Sequence, residues 1–176
     1  LSMAPAGDVD GDGTPDIAAM GMEDEEGSPP PSFVPKFVRV YSGKARKTVL
    51  TATGLEGPNV LGLSIAGPGD LNRDGKGDLV IGNPFQPKGT GDSWGMVRAY
   101  SGADGSPIWS TIGSREKDMY GAAVVSVGDI DGDGIRDLAV AAGFDEDLKQ
   151  MAKRSRIEEI SGKTGAMVRT IRLPDP

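Results

Sequence analysis

The residues with the clearest chemistry form a nine-residue run, Asp-Ile-Asp-Gly-Asp-Gly-Ile-Arg-Asp, at positions 129–137. Carboxylates occupy its positions one, three, five and nine, and this spacing in a curled loop lets their oxygens converge on one point. Four converging carboxylates without a partner would repel one another. The pattern therefore predicts that the loop binds a hard cation, which prefers oxygen ligands. Calcium fits best, because it accepts about six to eight oxygens in a flexible geometry. Gly134 at position six allows the sharp turn that brings the carbonyl of position seven inward.

The same run occurs twice more, at positions 8–16 and 70–78. A set of acidic turns would explain one copy, since Asp-Gly pairs are common turn formers. Three copies with the same oxygen-bearing positions favour metal binding instead. An EF-hand is excluded because it needs a bidentate Glu at position twelve between two helices. Position twelve here is Ala19, Ile81 and Val140, each in a short apolar run typical of a strand.

Composition limits the classes of protein that fit. The chain has 176 residues, enough for one domain with a hydrophobic core, and its 27 Gly and 13 Pro predict frequent turns and few helices. The three loops hold eleven of the 26 acidic residues, so three bound calcium ions would bring the net charge from −7 to −1. This acidity argues against a nucleic-acid partner. The absence of Cys and His excludes zinc sites, thiol nucleophiles and Ser-His-Asp triads.

The ends of the chain and its hydropathy bear on its compartment. No apolar run is long enough to span a bilayer, so we expect no membrane insertion. No signal peptide is visible, and the chain opens at Leu1 without a start Met. It therefore has the form of a mature or excised piece, from which a signal sequence could have been lost.

The loops mark a long internal repeat, with intervals of 62 residues from Asp8 to Asp70 and 59 residues from Asp70 to Asp129. A period of this length with strand-and-turn composition indicates propeller blades or a β-array. In each copy one apolar run precedes the loop, a second follows it, a third ends in Ser-Gly, and a fourth follows that turn. We predict an all-β chain of three four-stranded antiparallel blades of about 60 residues, in repeats 1–58, 59–117 and 118–176.

Motifs outside the loops extend the pattern. Leu61-Gly62 and Tyr120-Gly121 stand before the first apolar runs of the second and third copies, and Gly69-Asp70 opens the second loop. The stretches at 78–84 and 95–102 follow as the second and third runs. These residues resemble FG-GAP repeats, the blades of the integrin α-subunit β-propeller and of many bacterial surface proteins. In that family Phe-Gly stands at the first position, and the second strand ends in Gly-Ala-Pro.

The resemblance implies a calcium-stabilised propeller, extracellular or on the cell surface, with a periplasmic location as an alternative. Its function would be adhesion or the binding of a protein or glycan ligand. It implies up to three Ca²⁺ ions in a structural role, held by the side chains at positions one, three, five and nine and the carbonyl at position seven of each loop. These ligands are Asp8, Asp10, Asp12, Thr14 and Asp16; Asp70, Asn72, Asp74, Lys76 and Asp78; and Asp129, Asp131, Asp133, Ile135 and Asp137.

Three repeats are fewer than a closed propeller needs, which is typically about four to eight blades. Two arrangements stay open. Further blades could belong to a longer parent chain, or chains could associate head to tail. All three repeats are in the same phase, so two copies would make six blades. We therefore predict a homodimer that closes a six-bladed ring, with a longer single-chain propeller as the main alternative.

A second class of function is a glycan-binding or polysaccharide-lyase-type propeller. It would need an exposed aromatic platform, and Trp94, beside Gly91, Asp92 and Ser93, is the better candidate. Trp109, Tyr41 and Tyr100 lie in strand patterns and are expected in the core. No pairing of a nucleophile with a base is visible, so we do not expect an enzyme.

Overall fold

The fold is known from a computed structural model, which describes residues 3–21, 37–53, 64–87, 93–143 and 155–172. Every element assigned within these ranges is a strand, which confirms the all-β prediction. The strands are β1 Met3–Gly7, β2 Asp16–Gly21, β3 Phe37–Tyr41, β4 Thr48–Thr53, β5 Ser64–Gly69, β6 Asp78–Asn83, β7 Met96–Tyr100, β8 Pro107–Ile112, β9 Val124–Ser126, β10 Leu138–Ala142, β11 Arg156–Ile160 and β12 Met167–Arg172.

These strands form three separate four-stranded sheets, in the orders β1-β2-β3-β4, β5-β6-β7-β8 and β9-β10-β11-β12. All neighbours within a sheet are antiparallel. We call the sheets blade 1, blade 2 and blade 3. Each acidic loop connects the first strand of a blade to the second, so the predicted three antiparallel blades are confirmed.

The first strands of the blades lie side by side, β1 against β5 and β5 against β9. The two backbones come close at Gly67, where an added Cβ would lie 2.0 Å from the carbonyl oxygen of Pro5. Only a residue without a side chain fits at that distance, so Gly67 allows two backbones to meet directly. The innermost strands thus set the spacing between neighbouring blades.

The hydrophobic core lies between the blades rather than within one of them. The core between blades 1 and 2 contains Ala6, Val9, Ala18, Met20, Val38, Val40, Ile65, Leu79, Ile81 and Tyr100. The core between blades 2 and 3 contains Ala66, Leu71, Val80, Val97, Ala99, Tyr120, Val124, Ile135, Leu138, Val140, Ala142 and Ile160. Blade 2 gives one face of its strands to blade 1 and the other face to blade 3. The stability of a blade therefore depends on its neighbours, as in other repeat proteins.

The aromatic residues divide according to whether a blade covers them. Tyr100 is buried and Trp109 packs against the second core, as the sequence predicts. Tyr41, predicted in the core, is 40% exposed, because no blade covers its face of blade 1 in the described structure. Tyr120, at the Phe-Gly position, is buried between blades 2 and 3, and burial raises the pKa of its phenol. Leu61-Gly62 lies outside the described residues.

The connections within a blade fall at two opposite edges. Because neighbouring strands are antiparallel, the acidic loop and the Ser-Gly turn between the third and fourth strands lie at one edge. The second strand of each blade ends, and its third strand begins, at the other edge. None of the described residues forms a helix long and apolar enough to cross a membrane.

Candidate metal centre

Each acidic loop curls around the carboxylate at its first position. In the third loop, Asp129 Oδ1 accepts hydrogen bonds from the backbone N–H groups of Gly132 at 2.7 Å and Asp133 at 3.1 Å. Asp129 Oδ2 accepts one from Gly134 at 2.9 Å. Gly134 has a φ of +84°, a conformation that favours Gly. Asp8 makes the same three bonds in the first loop, and Asp70 makes two of them in the second.

The side chains at positions three and five accept bonds from the N–H two residues further on, which are local turns typical of Asp and Asn. Asp131 Oδ1 accepts from Asp133 N at 3.1 Å, and Asp133 Oδ1 accepts from Ile135 N at 2.9 Å. The bonds recur in the other loops at Asp10, Asn72, Asp12 and Asp74. The loop sequence therefore fixes its own curl through alternate oxygen-bearing side chains.

The carboxylate at position nine ties the loop to the rest of its blade. Asp137 is fully buried, and its Oδ2 accepts bonds from Ile130 N at 2.6 Å and Asp131 N at 3.2 Å. Its Oδ1 accepts a bond at 2.9 Å from Gly162 N, in the Ser-Gly turn after β11. The bonds that join position two and the Ser-Gly turn to position nine recur at Asp16, with Val9 and Gly43, and at Asp78, with Leu71 and Gly102. We call this arrangement the position-nine brace.

Carboxylate oxygens converge in two of the three loops. One group contains Asp8, Asp10 and Asp16, and the other contains Asp129, Asp131 and Asp137. In each group one oxygen from each residue lies within 4.8 Å of the others. Calcium lies about 2.3–2.6 Å from its ligands, so two oxygens on opposite sides of one ion are at most about 5 Å apart. The two groups therefore have the spacing and donor chemistry to hold a divalent metal ion.

Positions five and seven stand apart from these two groups. Asp12 and Asp133 are not members of either group of converging carboxylates in the described residues. The middle loop forms no group of three converging carboxylates there, because its position three is Asn72. Its amide oxygen remains a ligand type that calcium accepts. At position seven the backbone N–H of Thr14, Lys76 and Ile135 donates to the position-five side chain.

Electrostatics differ among the loops. Burial raises the pKa of the Asp78 carboxyl, although backbone N–H groups of Gly102 and Leu71 oppose the shift, and the charge of Asp74 raises it further. Position five is flanked by Ser101 in the middle loop, with Oγ 3.3 Å from Asp74 Oδ2. In the third loop Lys163 Nζ lies 3.8 Å from Asp133 Oδ2 instead. The buried negative charge at position nine is what a bound cation would offset.

Neighbouring loops are also bonded to each other. Gly77 N of the middle loop donates to the Asp8 carbonyl oxygen at 2.7 Å. Arg73, with a φ of +63°, donates from Nη2 to the Asp133 carbonyl oxygen at 2.9 Å. The three loops thus form one continuous surface along this edge of the blades.

Two features of the structure go beyond the sequence analysis. The Ser-Gly pair recurs at the same place in each repeat and predicts only a turn between strands, although the N–H of its Gly completes the position-nine brace. A buried ion network at the opposite edge gave no sequence signal. There Arg156 donates to Asp118 Oδ2 at 2.5 Å and to Glu158 Oε1 at 2.7 Å. Arg156 begins β11, whereas β3 and β7 begin with Phe37 and Met96, so the repeat pattern does not predict a charged residue at this position.

The fold and the loops together define an all-β protein built of propeller blades with a carboxylate-rich loop in each blade. Residues 70–140 match the FG-GAP-like repeat family. Integrin alpha-5 of Xenopus laevis is 28% identical over 138 residues, which are 74% of this chain and 13% of the relative. Integrin alpha-V of Gallus gallus is 31% identical over 144 residues, which are 78% of this chain and 13% of the relative. The chain is an FG-GAP repeat protein similar to integrin α subunits.

The coverage of these relatives is small. The chain spans 13% of the length of integrin alpha-5 and of integrin alpha-V. Among solved structures, the rhamnogalacturonan lyase YesW is 16% identical, with a TM-score of 0.37 over 100% of this chain and 41% of that one. A likeness at this TM-score carries no argument about function. The relatives support an adhesion-type propeller module, and the carboxylate groups are sites that could bind a metal.

Proposed function

We propose that this chain is a calcium-binding FG-GAP propeller module of a secreted or cell-surface protein, which serves adhesion or the binding of a protein ligand. Calcium has a structural role, with one ion in each of the three loops. The ligands are the side chains at positions one, three, five and nine and the carbonyl at position seven, as the resemblance implies. The module is not an enzyme.

The observation that carries the proposal is the convergence of three carboxylates, of which the one at position nine is buried, in loops of the same design. Asp8, Asp10 and Asp16 lie within ligand distance of one ion, and so do Asp129, Asp131 and Asp137. Their oxygens already accept backbone N–H bonds that fix the curl of the loop. A cation then needs little rearrangement to bind, and its charge offsets the repulsion among the carboxylates.

The experiment is a thermal melt in calcium and in excess chelator. A ligand that binds only the folded state raises stability by mass action, and extracellular sites bind calcium at roughly 10⁻⁴ to 10⁻³ M. We expect millimolar calcium to raise the melting temperature and the chelator to lower it. The matched variant is D131N, which weakens the third site and should reduce the calcium-induced shift. An identical melting curve in calcium and in chelator would overturn the metal proposal.

The ligand is a separate question, and the relatives favour a protein. The similarity to integrin α subunits supports a role in adhesion. The glycan-binding or lyase-type propeller stays a prediction from sequence. Its candidate platform, Trp94, is half-buried, and its backbone N–H donates to Gln86. Binding to a glycan array, or cleavage of a polysaccharide, would replace adhesion to protein as the proposed function.

A further inference from the structure

One face of blade 1 is uncovered in the described structure and carries exposed apolar side chains beside Arg39 and Thr51. It carries Ile17, directly after the first loop, which is 53% exposed. The residues at the same place in blades 2 and 3 are Leu79 and Leu138, which are 1% and 0% exposed because the preceding blade covers them. Met3 and Tyr41 are exposed on this face as well, at positions where the other blades bury Ile65, Val124, Tyr100 and Ile160. We call this surface the rear face of blade 1.

The corresponding faces of blades 2 and 3 are covered, and they show how a preceding blade packs on such a face. In each case the fourth strand of the preceding blade rests a side chain on the second Gly of the Ser-Gly-x-x-Gly turn. Trp109 lies over Gly165, where an added Cβ would be 2.7 Å from Trp109 Cε3. Its Nε1 also donates to the Gly162 carbonyl oxygen at 2.7 Å. Leu50 lies over Gly105, where an added Cβ would be 3.6 Å from Leu50 Cδ1, an ordinary contact.

The rear face of blade 1 differs at this one point. Arg46 replaces the second Gly of the turn, with a φ of +54°, and its N–H donates to the Ser42 carbonyl oxygen at 3.0 Å. Gly105 and Gly165 make the same bond to Ser101 and Ser161. The Arg46 side chain therefore starts where the fourth-strand side chain of a preceding blade would lie. It adds a positive charge and leaves no room for a ring as large as that of Trp109.

The fourth strand of blade 3 carries a positive charge at the matching place. Leu50 pairs with Val40, Trp109 with Ala99, and Arg169 with Glu159, all at the same step of the third and fourth strands. Arg169 donates to Glu159 and is 61% exposed in its side chain. If a second copy placed its blade 3 on this rear face, Arg169 would meet Arg46. Like charges placed together across an interface disfavour that pairing.

We propose that the rear face of blade 1 is a docking surface for a four-stranded blade that differs from blade 3 of this chain. The fourth strand of that partner carries an acidic side chain at the place of Leu50 and Trp109, and this carboxylate pairs with Arg46. Contact with Ile17, Met3 and Tyr41 supplies the buried apolar area of the interface, and the charge of Arg46 determines which partner is selected. A second copy of this chain is not the occupant, which favours the further-blades alternative over the predicted homodimer. The inference does not depend on calcium binding.

The test uses a charge-swapped copy, R46E/R169E, as a surrogate for the acidic partner. Light scattering and sedimentation velocity would follow wild type, the charge-swapped copy and their equimolar mixture over a micromolar concentration series, with and without calcium. We expect wild type alone and the swapped copy alone to stay monomeric, since each would place like charges together. The mixture should form a complex at least about tenfold tighter than either protein forms with itself.

The single variant R46E keeps the test decisive if R169E disturbs its ion pair with Glu159. Arg46 is exposed, and R46E alone sets a carboxylate opposite Arg169 of another copy, so it should self-associate where wild type does not. R115E changes the net charge equally at an exposed site away from the turn and should remain monomeric. Dimerisation of wild type would overturn the proposal in favour of a second copy. R46E that is as monomeric as wild type would show that Arg46 does not select the partner.

Discussion

The position-nine brace leads to a prediction that separates the folding role of a loop carboxylate from its role toward a metal. Asp137 accepts three backbone bonds, from Ile130, Asp131 and Gly162. In D137N the side chain keeps one oxygen and gains an NH₂ group in place of the other. Whichever way the amide is turned, a donor faces one of the backbone N–H groups. At least one bond is therefore lost, and one buried N–H is left without an acceptor.

The magnitude follows from these bonds. A hydrogen bond to a charged group contributes about 1.5–3 kcal/mol, and a buried donor without a partner costs about 1–3 kcal/mol. The two terms overlap, so we expect D137N to lower the free energy of unfolding by about 2–4 kcal/mol in excess chelator. The control is D131N, because Asp131 is exposed and accepts one bond, from Asp133 N at 3.1 Å. Its loss should cost less than about 1 kcal/mol in chelator.

Urea unfolding in chelator, followed by circular dichroism, measures both variants under the same conditions. The difference in free energy is read from the shift of the midpoint at constant slope. In calcium both variants should lose part of the ion's stabilisation, because Asp131 and Asp137 belong to the same group of converging carboxylates. Equal free energies of unfolding for D137N and D131N in chelator would refute the brace and leave position nine as a metal ligand alone.

Two further predictions concern charge. The middle loop has Asn72 at position three, so its ligand set has one carboxylate fewer than those of the other loops, and it also contains Arg73 and Lys76. This loop should therefore bind calcium most weakly of the three, and a site-resolved titration in which it fills first would contradict this. The hydrogen bond from Arg169 lowers the pKa of Glu159 below its ordinary value of 4.5. Glu159 therefore adds stability above pH 4.5 that is lost as the pH falls through 4.5 and below, so E159Q should flatten the stability curve there, and an unchanged pH dependence of the urea midpoint would refute it.

The strands and blades could be predicted because each repeat carries the same local signals three times. Apolar runs of strand length, Asp-Gly loops and Ser-Gly turns all indicate the same four-stranded unit, and the structure has four strands in that order in each repeat. The first strand of blade 3 is shorter than those of the other blades, since β9 covers only Val124–Ser126. There Tyr120 and Gly121 precede the strand, and the backbone of Tyr120 bridges to Gly95.

Contacts between blades could not be predicted from the sequence. Each contact depends on a single residue, and that residue's neighbours are known only when the positions of the blades are known. Gly165 is one Gly among 27 in the sequence, yet an added Cβ there would meet the ring of Trp109. Tyr41 has the strand pattern of a core residue and is exposed, since burial depends on a neighbouring blade. The sequence predicts position nine only as a ligand, because its second role depends on a turn 25 residues away, as the bond from Gly162 to Asp137 shows.

The arrangement of the loops explains how an ion in one blade can stabilise the next. The position-nine brace ties each loop to the turn after the third strand of its own blade. Gly77 and Arg73 tie the middle loop to the first and third loops. Because the hydrophobic cores lie between blades, any bond that fixes the position of one loop also fixes the strands on both sides of that core. Calcium at the third loop would therefore oppose the separation of blades 2 and 3. R73A removes the bond between the middle and third loops, so it should reduce the amount by which calcium at the third loop stabilises blade 2.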